Sequence, residues 1–250
     1  MNFERDSTRP KVSEKRAGWQ NKCITKFHEG LFPHLTDAGV NRLREMIMPV
    51  RYPEGDLLFQ EDGLSDGIYL VCRGFVVYGK GNKDHPNGSR IFKLLGAGKI
   101  VGEETLFARD NRARFGFARC LVDTDLLFLE KDEFLAFLRG NPEAYQDFCA
   151  YLSSILKGVE ERLFDEGPPT AKRRLACLLM KIERQMRGYG SDAPLPLHLK
   201  RKVLAGILGV SESSITRLLR GLDENRLLST EEDLCIESLD ALEGLARGQG

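Results

Sequence analysis

The side chains best suited to chemistry lie close together near the carboxy-terminal end. The segment opens with Lys200, Arg201 and Lys202, continues through Ser211, Glu212, Ser213 and Ser214, and adds Thr216, Arg217 and Arg220. A guanidinium carries paired donors that match the two acceptors on the major-groove edge of guanine. Hydroxyls donate or accept with little selectivity, and lysines hold phosphate without reading sequence. The intervening residues supply the positioning. Val203, Leu204 and Ile207 give a first helix its apolar face, Gly209 permits a left-handed turn, and Val210 plugs the angle between two helices. Ser211 is placed to cap the second helix, while Ile215, Leu218, Leu219 and Leu222 bury one side of it. What remains outward is polar, as a helix-turn-helix requires of the helix that enters the major groove. After it, Leu227-Leu228-Ser229, an acidic turn over residues 230–233, and Leu234-Cys235-Ile236 predict a hairpin wing.

Charge supports the same partner. The chain has 37 basic and 37 acidic residues, yet between Thr170 and Thr230 there are twelve Lys/Arg against five Asp/Glu, an excess of seven that the rest of the chain offsets. A locally basic unit attached to an acidic one is expected where only one of them meets phosphates. No stretch approaches the roughly 20 apolar residues of a membrane span, and the polar start is unlike a signal peptide, so no membrane association and a cytoplasmic location are expected. The six cysteines, Cys23, Cys72, Cys120, Cys149, Cys177 and Cys235, show no C-x-x-C spacing. Neither a zinc ribbon nor a disulfide framework is expected, and most read as small buried apolar residues.

The elements that must carry this segment follow from the hydrophobic period. Residues 1–26 are read as a mobile tail. Apolar spacing from Phe27 to Met48 predicts a helical cap. Short runs rich in Val, Ile, Phe, Tyr and Leu at Asp56–Gln60, Gly67–Cys72, Phe75–Tyr78, Arg90–Leu95 and Asp125–Leu129 then predict an antiparallel β unit within residues 27–140, with glycine and proline turns between them. A helix over residues 141–166 begins with Asn141 as cap and Pro142 at its first position. Its Phe148, Leu152, Ile155 and Val159 alternate by four and three, the seam of a two-stranded coiled coil, with Cys149 beside it. Gly167-Pro168-Pro169 ends that helix, and residues 170–250 form the winged helix-turn-helix, opened by a helix capped at Thr170. The fold class expected is α+β: a double-stranded β-helix, or jelly-roll, sensor domain, a long dimerisation helix and a winged helix-turn-helix domain.

In order of parts and in residues the chain resembles the CRP/FNR superfamily of bacterial regulators. The matching motifs are Tyr52-Pro53-Glu54-Gly55, the run Ile68 to Gly74, Val101-Gly102-Glu103 with Leu106-Phe107, Ala171 to Ala176, and Leu208-Gly209-Val210-Ser211 through Ile215-Thr216-Arg217. The resemblance implies a homodimer, a palindromic operator in double-stranded DNA, RNA polymerase as a partner and a small-molecule effector in the roll. It implies no enzyme. An enzyme on a jelly-roll scaffold would need clustered metal ligands, and four scattered histidines do not supply them.

The departures from the family narrow the effector. In cyclic-nucleotide binders the Gly-Glu pair, here Gly102-Glu103, is followed further along by Arg and then Ser or Thr, which hold the cyclic phosphate while the glutamate holds the ribose. Here the arginine is Arg112 or Arg114, depending on alignment, and the next residue is Ala113 or Phe115, without a hydroxyl. Val159 and Glu160 stand near where the cyclic AMP sensor uses hydroxyls to reach adenine. Losing several hydrogen bonds, each worth about 0.5–1.5 kcal/mol and more to an anion, disfavours cyclic AMP. An iron–sulfur centre of the oxygen-sensing type needs about four amino-terminal thiolates, and only Cys23 lies there. Haem through His28, His34, His85 or Cys72 lacks a distinguishing spacing. Phe107, Phe115 and Phe117 offer either an apolar effector pocket or ordinary core, and Cys149 offers a thiol switch.

Overall fold

The computed structural model describes residues 18–81, 89–108, 114–164, 170–188, 201–225, 228–229 and 235–247. Two four-stranded antiparallel sheets face each other. The first runs in the order β1 (Met48–Tyr52), β8 (Thr124–Glu130), β3 (Gly67–Arg73), β6 (Ile100–Val101). The second runs β2 (Leu57–Phe59), β7 (Phe117–Cys120), β4 (Val76–Gly81), β5 (Ser89–Leu95). The expected jelly-roll is therefore present, and with the helices that follow the fold is α+β.

Strand alternation explains how three cores form from two sheets. Along β3, Tyr69 and Val71 face the interior between the sheets, where they meet Val50, Val76, Tyr78, Ala118 and Leu126. Ile68, Leu70 and Cys72 face the other way, into a core with Leu127 and Leu129 of β8 and with the helices α1 (Gly18–Leu31), α2 (Asp37–Met46), α3 (Lys131–Gly140) and α4 (Pro142–Phe164). On the second sheet, Phe75, Val77 and Leu94 turn outward and join Leu175, Leu179, Leu204, Ile215, Leu222 and Leu242. Those belong to α5 (Ala171–Gly188), α6 (Arg201–Leu208), α7 (Glu212–Glu224) and α8 (Leu239–Arg247), with β9 (Leu228–Ser229) paired to β10 (Cys235–Ile236). Strands buried on both faces read as continuous apolar runs, which is why β3 and β8 stand out in the sequence.

One irregularity in β5 matters for the site. The pairing of β4 with β5 shifts between Tyr78↔Lys93 and Gly79↔Ile91, so Phe92 is an extra residue. The bulge brings Phe92 and Lys93 to the same side. Phe92 meets the rings of Tyr78 and Phe115, and Lys93 bonds Glu103. Ile91 and Leu94 instead pack with the carboxy-terminal helices, and Gly206 of α6 lies so close that an added Cβ would stand 3.1 Å from Ile91.

Several expectations are corrected. Residues 18–26 are not tail: they form most of α1, with Cys23 and Ile24 buried, because a helical stripe with Phe27 and Leu31 continues back through them. Residues 1–17 lie outside the described residues, as do the turn at 82–88, the hinge at 165–169 and the tip of the wing. The helical cap is two helices, α1 and α2, the second capped by Thr36. Asn141 does not cap α4 with its side chain, whose amide donates back to Phe137 O at 2.7 Å. It closes α3, while its carbonyl accepts from Tyr145. The helices α3 and α8 and the strands β1, β6 and β7 were not expected. Finally, Cys23 and Cys72 are joined by a disulfide across 49 residues, against the expectation of inert thiols. Closing a loop of that length lowers the entropy of the unfolded chain by about 4 kcal/mol at 25 °C in the chain-entropy description.

The roll is tied internally by Arg114, whose side chain is 0% exposed. Its guanidinium donates to Gly102 O (3.2 Å), Thr105 Oγ1 (3.2 Å), Gly67 O (2.6 Å) and Asp66 Oδ1 (3.1 Å), and lies 4.0 Å above the Phe59 ring. Gly102 has φ +93°, and a Cβ there would collide with the guanidinium. Replacing Arg114 by Ala should lower stability to denaturant by about 3–5 kcal/mol, because a large, fully buried side chain leaves a cavity and the Gly67 carbonyl loses a donor there. Arg114→Lys should recover only a fraction, since one ammonium cannot reproduce the planar fork. Urea unfolding of the three proteins measures both.

Candidate functional site

The helix-turn-helix expected from the sequence is built from α6, the turn at Gly209 (φ +67°) and α7. The turn is closed by Val210 N donating to Ala205 O at 3.1 Å, and Arg174 of α5 donates to Leu208 O at 3.2 Å, holding the end of α6. Ser211 caps α7, accepting from Ser214 N at 3.2 Å. Ile215, Leu219 and Leu222 are buried under the helix. Glu212, Ser213, Arg217 and Arg220 are exposed and Thr216 half-buried, so the four-and-three spacing of Ser213, Arg217 and Arg220 puts them on one outward face.

Local bonds qualify the roles expected of these residues. The Ser213 and Ser214 hydroxyls each lie 2.9 Å from Ser211 Oγ, and Thr216 Oγ1 donates to Glu212 O at 3.0 Å. These hydroxyls are partly engaged with their own helix. Arg217 and Arg220 are the long exposed donors on that face. Arg201 is exposed at the start of α6; Lys200 and the side chain of Lys202 lie outside the described residues.

Residues 49–141 match the family model described as the cyclic nucleotide-binding domain, and residues 173–245 match the Crp-like helix-turn-helix domain. The Cyclic AMP receptor protein of Thermus thermophilus is 31% identical over 199 residues, which cover 79% of this chain and 85% of that protein. The chain belongs to the CRP/FNR family of transcription regulators. Its membership makes it a DNA-binding regulator and not an enzyme. The CRP/FNR relative named HTH-type transcriptional regulator Cmr, from Mycobacterium tuberculosis, is 24% identical over 220 residues, 86% of this chain and 81% of that protein. The fold is shared with the solved structure of FixK2 from Bradyrhizobium japonicum, with a TM-score of 0.66 at 17% identity over 80% of this chain and 96% of that one.

Around Gly102-Glu103, where an effector was expected, the chain's own side chains form a polar cluster. Glu103 is 5% exposed and accepts from Lys93 Nζ at 2.9 Å. Its neighbour Glu104 accepts from the Tyr78 hydroxyl at 3.0 Å. Burial, and then the carboxylates of Glu104 and Glu103, push the Tyr78 phenol above its ordinary range, so it remains a donor. On α4, burial first and the charge of Glu103 second raise the Tyr151 phenol as well. Of the two arginines expected there, Arg112 lies outside the described residues and Arg114 points inward, to Gly102 and Gly67.

The aromatic candidates separate. Phe115 is 54% exposed, 6.0 Å from the Phe92 ring and 4.3 Å beneath Lys80 Nζ, so it stands at the exposed edge of this cluster. Phe117 packs on the opposite face of its sheet, with the DNA-binding helices. Phe107 is at another edge, against Tyr145 and Phe148. Val159 is half-buried on α4.

On α4, Phe148 does not join an outward seam. It is 0% exposed and packs against Phe134 and Phe107 in its own core, because α3 and α1 cover that side of the helix. Cys149 is exposed, Leu152, Ile155 and Val159 are half-buried, and Leu156, which the sequence reading passed over, is 60% exposed.

Among the haem candidates, Cys72 is in the disulfide and His34 Nδ1 lies 2.8 Å from Asp147 Oδ1. His28 is on α1, and His85 lies outside the described residues. Among the described residues no cluster of three or more His, Cys, Asp or Glu could hold a metal, and no helix is long and apolar enough to cross a membrane.

Lys93 and Tyr151 escaped the sequence reading. Lys93 had a signal, a lone cation inside Ile91-Phe92-Lys93-Leu94-Leu95, whereas Tyr151 had none. The free thiols also differ. Burial pushes Cys120 up from about 9 to about 12, so it stays protonated and unreactive at neutral pH. Brief alkylation of the native protein near pH 8 should modify Cys177, which is exposed, and spare Cys120. Peptide mass spectrometry reads this out, and prompt labelling of Cys120 would contradict its burial.

Proposed function

We propose that the chain works as a homodimer on a palindromic operator, contacts RNA polymerase, and responds through its roll to a signal other than cyclic AMP. The observation that carries the operator reading is the outward face of α7, where Arg217 stands exposed on a helix whose other face is buried. In the family the matching arginine and a glutamate four residues earlier read bases, and here that earlier position is Ser213. Arg217 is assigned to a guanine, Ser213 to a position read weakly, and Lys200, Arg201 and Lys202 to phosphates. On a duplex selected from a random pool, Arg217→Ala should cost about 1–3 kcal/mol and relax selectivity at one base pair of each half-site. Lys202→Ala should weaken all duplexes alike and flatten the salt dependence. A uniform loss from Arg217→Ala would make it a phosphate contact.

Dimerisation is assigned to the face of α4 that carries Cys149, Leu152, Ile155, Leu156 and Val159. Half-buried and exposed apolar side chains along one long helix are what a second copy would cover. Paired Leu152→Glu and Val159→Glu substitutions should give monomers that lose operator affinity, since two recognition helices must reach grooves about 34–36 Å apart. Sedimentation checks the mass, and an unchanged dimer would move the interface elsewhere.

The effector reading rests on Glu103 being held by Lys93 and Arg114 by backbone carbonyls. A cyclic nucleotide would have to displace the lysine before the glutamate could accept from a ribose. The relative named Cyclic AMP receptor protein favours the alternative, a nucleotide effector. Calorimetry separates the two readings: cyclic AMP should give no micromolar binding, and binding coupled to tighter operator affinity would establish the alternative.

A further inference from the structure

We propose that the Cys23–Cys72 disulfide is a thiol–disulfide exchange site that controls whether α1 stays docked, and through α4 the affinity for DNA; the last step rests on the dimeric operator-binding reading above. The bond joins the first described helix to β3, and both residues are buried in the core that also contains Ala144 and Phe148 of α4.

The two halves of α1 are held differently. Its later half inserts Phe27 and Leu31 into that core, with Phe27 edge-on to Phe32 at 5.6 Å. Its earlier half has Cys23 and Ile24, and beside them Gln20, which is 1% exposed with neither its amide oxygen nor its amide nitrogen hydrogen-bonded. A buried primary amide without partners opposes docking, because water would satisfy it. The covalent tie therefore holds in place a segment whose own polar group favours release. This also answers how a buried bond can react: the end of α1 lifts, and exchange occurs from the opened state.

The setting supplies the chemistry. A DNA-binding regulator works where the chromosome is, and thiol pools there reduce most disulfides, so those that form are commonly transient and sensory. A dithiol's thiolate attacks one sulfur of the Cys23–Cys72 bond and expels the other as thiolate. The dithiol's second sulfur then displaces the mixed disulfide. Two cysteine thiols result, carrying the two protons the dithiol lost, and the dithiol leaves oxidised by two electrons as its own disulfide. A small-molecule disulfide runs the sequence backwards. With the tie open, α1 no longer braces the side of α4 that carries Ala144 and Phe148, and the face assigned to the second copy loses its support.

The test uses the full chain with dithiothreitol as reductant and oxidised glutathione as oxidant, and peptide alkylation to count thiols at Cys23 and Cys72. Reduction should weaken binding to the selected duplex by at least about fivefold. It should also raise amide exchange over residues 18–24 by at least about tenfold, with both changes reversed on reoxidation. Cys23→Ser and Cys72→Ser should each be fixed in the weak-binding, fast-exchanging form and be indifferent to dithiothreitol. The proposal is overturned if alkylation finds both thiols free after oxidation, if confirmed reduction leaves affinity and exchange unchanged, if the reduced form binds tighter, or if the doubly substituted protein still responds. Should no duplex bind in either state while exchange over residues 18–24 still rises on reduction, the regulator reading fails and the exchange site stands.

Discussion

The guanidinium of Arg114 is the interaction on which the inner end of the roll depends. Four acceptors from two separate stretches, Asp66-Gly67 and the turn from Gly102 to Thr105, converge on one side chain that water does not reach. The Gly102 carbonyl also accepts from the Thr105 hydroxyl and amide, so the guanidinium adds a third donor to a turn that is already closed on itself. The turn in turn places Glu103 where Lys93 can reach it. The polar cluster around Glu103 and Arg114 thus consists largely of charges paired within the chain, with Arg114 Nε left without a partner.

The second constraint is that β5 serves two masters. Its bulge at Phe92 gives Phe92 and Lys93 to the polar and aromatic cluster of Glu103, Tyr78 and Phe115 and leaves Ile91 and Leu94 to the DNA-binding helices. A strand without the bulge would alternate strictly and could not place neighbouring residues on the same side. The same strand therefore carries Lys93 toward Glu103 and Ile91 against α6, where a side chain at position 206 would crowd Ile91.

Much of the architecture was legible because it rests on local rules. The helix-turn-helix was readable from Gly209, the Ser211 cap and the apolar spacing of α7, since a left-handed turn, a capping hydroxyl and a helical stripe are each decided within a few residues. The β unit was readable from strands apolar on both faces, and α4 from Pro142 onward. Short strands such as β6 were not, because two residues carry no period. Residues 18–26 were misread because the preceding polar stretch diluted a helical stripe that becomes apparent only once its apolar side has a core to enter.

What the sequence determined by itself was therefore the kind of protein: a jelly-roll, a long helix and a DNA-reading unit, with Arg217 and Arg220 on the outward side of α7. The family resemblance that follows from those motifs is confirmed by the match to the Cyclic AMP receptor protein of Thermus thermophilus. Tertiary structure decided the rest. The burial of Phe148 rather than its exposure on α4, the inward aim of Arg114, the pairing of Lys93 with Glu103 and the bond between Cys23 and Cys72 all join residues distant in the chain. Spacing along a sequence specifies which face of its own element a side chain takes, and carries no information about which other element will cover that face.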